Sequence, residues 1–373
     1  WVDFENDYKT LNVEFMESVI WAFKRLSDKG LTYQGFRVLP YCWKDETPLS
    51  NHELRMDDDV YKNRQDQTVT VGFTILAGET EASKALAGVQ ALAWTTTPWT
   101  LPTNEALAVH PDIEYVVLPA GEAGVKASAA AGPFLLARDL LGSYAKDLGY
   151  KDAKEAAAAV TASYTGADLS GVRYAPLWDT YTDTEKYGTE NAWQIVTADY
   201  VTVADGTGIV HQAPAYGEDD QKVCEEHGIP VILSVDEGAK FLPVFAGGPL
   251  ADIVGVQVFD ANKTITNVLK DEAKLIKQAS YEHSYPHCWR CRTPLIYRAI
   301  SSWYVEVSKF KDRMVELNEQ INWIPGNVKH GQFGKWLENA RDWSISRNRY
   351  WGSPIPVWEC SGAECTHREV FGS

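Results

Sequence analysis

Near the start of the chain, apolar residues recur at a helical period. Phe15, Met16, Val19, Ile20, Phe23 and Leu26 share one helix face, and Gly30 supplies a stop. Tyr33 to Tyr41 then alternates in character, which predicts a strand. From Thr68 the texture changes to short β-rich runs: Thr68–Ile75, Gln90–Trp94, Tyr115–Leu118, Gln194–Val203, Gly208–His211 and Pro230–Val235. Gly, Pro and Asp turns separate them, so the middle of the chain reads as a barrel-like β domain with a few helices. One helix is predicted over Ala137–Leu148, where Leu140, Leu141, Tyr144 and Leu148 share a face. The Ala-rich segments 127–131 and 155–159 read as peripheral decoration.

After His283 the chain becomes dense in Trp, Tyr and Arg: Ser302-Trp303-Tyr304, Asp342-Trp343-Ser344 and Asn348-Arg349-Tyr350-Trp351-Gly352. Such density suits either a stacking surface or an aromatic core beneath a loop, and the residues alone leave both open. The acidic run Asp57-Asp58-Asp59 reads as a solvated linker. These changes divide the chain into 1–63, 64–283 and 284–373.

A length of 373 residues accommodates two or three domains, and 45% apolar with 23% charged residues is ordinary for a globular chain. No apolar run approaches membrane-spanning length, so no membrane partner is expected. The start, Trp1-Val2-Asp3-Phe4, lacks Met and the marks of a targeting peptide and is expected to be the interior of a longer chain. A net charge of −16 speaks against a general nucleic-acid binder but leaves room for a local basic groove.

The six cysteines suggest metal ligands or core thiols in a reducing, cytoplasmic setting. Cys288-Trp289-Arg290-Cys291 has the spacing of half a zinc knuckle, in which one turn aims two thiolates at one metal. The candidate for the other half is Cys42-Trp43-Lys44-Asp45, whose context echoes the later motif. If the halves meet, they clip together the two ends of the β domain. Because the fourth place is Asp, a metal-free neck held by packing is the preferred reading over bound zinc. Cys360 and Cys365 are uninformative, and Cys224 reads as a helix core residue.

Two stretches carry candidate chemistry. Trp94-Thr95-Thr96-Thr97-Pro98-Trp99-Thr100, continuing to Asn104, ends a strand in hydroxyls and turn amides that can hold a ribose or orient water. Gly206-Thr207-Gly208 precedes a strand delivering His211, followed by Tyr216, Gly217, Asp219 and Asp220. A carboxylate there can pair with a ligand ammonium. Taken singly, a Thr run is ordinary strand surface, a His is structural, and an Asp pair starts a helix.

Together these stretches resemble the threonine-rich and glycine–histidine–aspartate regions of the editing domain of isoleucyl-tRNA synthetases. Relatives that edit for valine or leucine typically carry Arg before the Pro and an acid after it, whereas Thr97 and Trp99 stand here. The flanks 1–63, Pro286–Arg298 and Asp342–Trp358 resemble the synthetase segments around that insertion. The implied fold is mixed α/β: a β-barrel-like editing domain inserted into a truncated class I Rossmann-type catalytic domain.

The resemblance implies that Asp220 anchors the α-ammonium of valine misattached to the 3′ end of tRNA(Ile). His211 would exclude the larger isoleucine, and Thr95, Thr96 and Thr97 would position the terminal adenosine and a water. Trp99, Thr100, Asn104, Asp219 and Tyr216 are implied as substrate-binding neighbours, with Tyr216 standing where many relatives have a second His. ATP and Mg belong to the full-length ligase, expected as a cytoplasmic monomer. Its His-x-Gly-His and Lys-Met-Ser-Lys-Ser motifs are absent here, so ligation is not expected of this chain alone. Two other readings are a free-standing deacylase acting in trans and a zinc-stabilised tRNA-binding module. The first predicts an end near residue 283; the second needs a basic face and four good ligands.

Overall fold

The computed structural model describes residues 1–50, 52–55, 59–126, 128–348, 352–362 and 365–373. Asp57, Asp58, Ala127 and Arg349-Tyr350-Trp351 lie outside the described residues. Two compact units are present, Trp1–Arg37 with Ile300–Ser373, and Val38–Ala299. The second unit includes residues 38–63 and 284–299 beside 64–283.

In the first unit the expected helix is α1 (Val13–Asp28), which buries Phe23 edge-on against Trp303 at 5.4 Å between ring centroids. Tyr33 stacks on Tyr304 and donates from its hydroxyl to Asp342 Oδ2 at 2.7 Å. Trp343 remains exposed. Trp303 and Tyr304 therefore serve packing, one of the two readings of that aromatic density.

The second unit is built on a nine-stranded mixed sheet. Its strands are β1 (Tyr61–Thr74), β2 (Gln90–Thr95), β3 (Ala106–Val109), β4 (Glu114–Leu118), β5 (Phe134–Ala137), β6 (Ala162–Thr165), β7 (Gln194–Thr197), β8 (Ile209–Gln212) and β9 (Leu275–Pro286). Strands β1, β2, β8, β3 and β7 lie side by side in that order. The segment 171–175 then closes the ring. Gly171 N–H donates to Ile195 O on the β7 side, while Leu76 N–H reaches Arg173 O and Ala175 N–H reaches Thr74 O on the β1 side. The fold is thus mixed α/β with a barrel-like β core, as the punctuated β-rich runs predict. Closure removes strand edges that would otherwise need cover. Both β3 and β5 are buried along their whole length, which explains their unbroken apolar sequences, Ala-Leu-Ala-Val and Phe-Leu-Leu-Ala.

One edge of β2 is shared. Gln90 and Ala91 pair with β5, whereas Trp94 pairs with β8, so the sheet forks along β2. Helices α2 (Glu218–Glu226) and α3 (Val258–Asp271) belong to the same unit. Cys224 is fully buried on α2, the helix core position its sequence suggests. No helix among the described residues is long and apolar enough to cross a membrane.

Three local expectations differ. The helix over Ala137–Leu148 shrinks to Leu141–Tyr144, because Ala137 pairs with Tyr115 in the sheet and tertiary pairing overrides helical periodicity. Pro230–Val235 forms no strand apart from a bridge at Val235, since the Ser234 N–H is spent on the Tyr216 hydroxyl at 2.8 Å. The strand expected over Gln194–Val203 stops at Thr197.

Candidate functional site

The two motif stretches meet because β2 and β8 are parallel neighbours, with Trp94 opposite Val210. That register carries Thr95 and His211 to the same end of the sheet, where the fork opens. The Gly206–Gly208 turn fits into the fork. Both glycines have positive φ, 74° and 75°, which a β-carbon would strain. Space forbids one at Gly208, where it would lie 2.5 Å from the Ala137 Cβ, and is tight at Gly206, where it would lie 3.1 Å from the Trp94 ring. The turn is tied to the other arm of the fork by Ala137 N–H to Thr207 O at 2.9 Å and Tyr115 Oη–H to Gly208 O at 2.7 Å.

The result is a cleft of about 410 Å³, the size of a small-ligand site. Thr95, Thr96, Thr97, Thr100, His211, Tyr216 and Asp220 all line it. Thr95 Oγ1 accepts from Thr97 N–H at 3.0 Å and lies 3.1 Å from Thr97 Oγ1. Thr96, between them, makes no side-chain hydrogen bond among the described residues and is free to meet a ligand. Thr100 Oγ1 is 2.8 Å from His211 Nε2, and Asn104 Nδ2 is 2.9 Å from His211 Nδ1. Burial pushes the His211 imidazole down to a pKa of about 3, so it is neutral at physiological pH.

Asp220 sits in the first turn of α2 with its carboxyl turned inward. Oδ2 accepts from Ala213 N–H at 2.8 Å, and a β-carbon at position 217 would fall 2.6 Å from its Cγ, so Gly217 makes room for it. Burial lifts this carboxyl to about 7, the neighbouring Asp219 charge adds to the rise, and the Ala213 amide opposes it. An arriving ammonium reverses that balance by favouring the ionised form.

Three expected residues lie elsewhere. Trp99 is buried edge-on against the Tyr216 ring at 4.8 Å and does not line the cleft. Asn104 lies behind His211, and Asp219 is exposed. Tyr216 lines the cleft, while its hydroxyl is 2.7 Å from Ser234 Oγ and accepts from Ser234 N–H. The sequence reading missed Tyr200, Val201, Thr202, Ala204 and Asp205, which form one side of the cleft. Treating 194–203 as one strand hid them; the Asp205-Gly206 turn was the available signal.

Residues 1–371 match the family described as tRNA synthetases class I (I, L, M and V). The chain belongs to this family. It is 62% identical over 380 residues to an isoleucine–tRNA ligase of Leifsonia xyli subsp. xyli, covering all of this chain and 33% of that protein. Isoleucine–tRNA ligases of Mycobacterium tuberculosis H37Rv (54% over 381 residues) and Tropheryma whipplei Twist (49% over 373 residues) are each covered to 34%. The chain thus spans about a third of the length of the curated relatives it matches. Among solved structures, the editing domain of the cytosolic leucyl-tRNA synthetase of P. knowlesi aligns with 61% of this chain and 100% of its own, at 10% identity and a TM-score of 0.39. The corresponding P. falciparum domain aligns with 56% of this chain and 98% of its own, at 10% identity and a TM-score of 0.37.

Elsewhere in the Val38–Ala299 unit of this synthetase chain, the two half-knuckles meet. Cys42, Asp45, Cys288 and Cys291 place one ligand atom each within 4.8 Å of all the others. Cys42 Sγ is 3.4 Å from Cys291 Sγ and 3.3 Å from Asp45 Oδ2, which is 3.4 Å from Cys288 Sγ. Tetrahedral zinc with bonds of about 2.3 Å has ligand atoms about 3.8 Å apart, so this donor set can close on a metal ion with shifts of a few tenths of an ångström. Leu49, Leu54, Val60 and Leu295 pack around it, and Arg290 pairs with Glu53 at 2.9 Å. Packing and ligand geometry thus coexist at the neck.

Proposed function

We propose that this chain is part of an isoleucine–tRNA ligase and carries its hydrolytic editing site, which removes valine from tRNA(Ile). One observation carries the reading: the cleft joins a row of threonine hydroxyls, a neutral His211 wall and the inward Asp220 carboxyl. One missing methylene is worth only about 1–3 kcal/mol in an apolar pocket, the known limit for these very enzymes, so a second, smaller sieve is needed. In that sieve Asp220 holds the α-ammonium and His211 closes the side-chain pocket. Thr95, Thr96 and Thr97 receive the terminal adenosine and a water. The water attacks the ester carbonyl, the bond to the ribose oxygen breaks, and free valine and tRNA with a free hydroxyl result. With both His211 nitrogens engaged, positioning of water against an activated ester carries the rate, assisted by the tRNA's own hydroxyl. A non-hydrolysable amide analogue of valyl-adenosine is expected to bind the chain and to protect Thr96 and Asp220 resonances; binding that leaves these unaffected contradicts the assignment. The whole-chain similarity to ligases favours this reading over a free-standing deacylase. ATP and Mg serve the ligation reaction of the full-length enzyme.

Asp220 predicts a pH dependence. Its carboxyl must be ionised to hold an ammonium, so the Asp220-dependent part of deacylation at low substrate concentration should rise as pH passes through about 7 and fall again as the substrate's α-ammonium deprotonates at about pH 8. At saturating substrate the midpoint should fall, because the bound ammonium stabilises the anion. Spontaneous ester hydrolysis also rises with pH, and Asp220→Asn supplies the baseline. A wild-type profile parallel to that baseline contradicts the role.

The neck is proposed as a structural zinc site. One equivalent of zinc is expected after metal-replete purification, raising the thermal midpoint by several degrees; this corresponds to roughly 1–3 kcal/mol from linkage. Cys288→Ser should lose both the zinc and the increment. A chain free of zinc with an unchanged midpoint points to the packed, metal-free neck.

A further inference from the structure

Behind the His211 wall lies a chain of hydrogen bonds in which every proton can be placed. Tyr174 is 1% exposed, and its hydroxyl donates to Asn104 Oδ1 at 2.8 Å. The Asn104 amide hydrogens then point the other way, one to the Ala106 carbonyl and one to His211 Nδ1, both at 2.9 Å. The reverse amide orientation would set two oxygens against each other at the Ala106 carbonyl. A donor aimed at Nδ1 needs a bare lone pair there, so the imidazole proton resides on Nε2. Nε2–H donates to Thr100 Oγ1, whose own proton goes to the Thr97 carbonyl at 2.8 Å. All donors run in one direction, from Tyr174 towards the threonine turn. The Asn104 backbone is pinned as well, its N–H on Leu101 O and its carbonyl on Trp193 Nε1–H.

We propose that Tyr174 is a positioning residue for the cleft: through Asn104 it fixes His211 as the neutral Nε2–H tautomer and so sets the hydroxyl direction of Thr100. His211 then offers a ligand an uncharged wall with no free lone pair, a shape filter in place of a base. The functional half of this inference rests on the cleft being an aminoacyl-ester site; the tautomer does not.

Two-bond proton–nitrogen NMR spectra of the chain labelled with ¹⁵N-histidine test it, with His211 assigned by difference from His211→Gln. The wild type should show a single Nε2–H tautomer that stays neutral through mildly acidic pH. Tyr174→Phe removes only the clamp on Asn104 Oδ1. With the Ala106 carbonyl still holding one amide hydrogen, it should raise the share of the Nδ1–H tautomer without completing the conversion, and slow valyl-tRNA deacylation by roughly fivefold, the worth of one net hydrogen bond. Asn104→Asp, an acceptor at both oxygens, should convert His211 to Nδ1–H altogether, which keeps the test open should Tyr174→Phe not fold. A wild-type Nδ1–H tautomer, or tautomers unmoved in the folded variants, overturns the relay. A shifted tautomer with unchanged deacylation overturns the positioning role. A wild-type Nε2–H tautomer without any deacylation supports the relay and counts instead against the aminoacyl-ester reading.

Discussion

Replacing Asp220 with Asn is expected to slow deacylation of valyl-tRNA by about a hundredfold, from the upper range of a charge-assisted hydrogen bond. Asn keeps the shape of the side chain and an oxygen for the Ala213 N–H, so the fold should survive while the charge is lost. Asp220→Ala should lose as much rate and also orphan that amide. The effect should fall on substrates with a free α-ammonium and be much smaller on an N-acetylated valyl ester. Unchanged hydrolysis by Asp220→Asn would refute the ammonium anchor.

His211→Ala should change selectivity more than rate. The ring is buried, uncharged at neutral pH and part of the cleft wall, so its removal enlarges the space offered to the amino-acid side chain. Isoleucyl-tRNA hydrolysis is expected to rise by about 10- to 200-fold, the span of one methylene's worth of discrimination, while valyl-tRNA hydrolysis changes far less. A stability cost accompanies it. Thr100 Oγ1 and Asn104 Nδ2 each lose one hydrogen bond while keeping those to the Thr97 and Ala106 carbonyls, at about 1 kcal/mol apiece. Initial rates on the two esters, taken at a temperature where circular dichroism shows the variant folded, check the prediction. Isoleucyl-tRNA left intact would mean that another residue forms the sieve.

Much of this site was legible in the sequence because its chemistry is local. The glycine pair before His211 is demanded by φ and space, and the Thr95–Thr97 run and the acid after Gly217 are short motifs that line the same cleft. What could not be read is the register. Nothing in either motif states that Trp94 lies opposite Val210, yet that parallel pairing assembles the cleft. Tyr174 was invisible for the same reason: it sits seventy positions from Asn104 and acts only through a long-range hydrogen bond. Strand β9 escaped because its outer part, Gln278 to Pro286, is half-exposed and mixes aromatic with polar residues without a core face. Ala137 read as helical because apolar spacing cannot tell a buried strand from a helix face when both are short. The cysteine motifs foretold that the two half-knuckles meet at the neck, with Asp45 beside the three thiols.

The most direct test sets valyl-tRNA(Ile) and isoleucyl-tRNA(Ile) side by side as substrates of this chain, with spontaneous hydrolysis subtracted. Hydrolysis of the valyl ester is expected to be about a hundredfold faster than that of the isoleucyl ester. Equal rates on the two esters, or a valyl ester no less stable with the protein than without it, would contradict it.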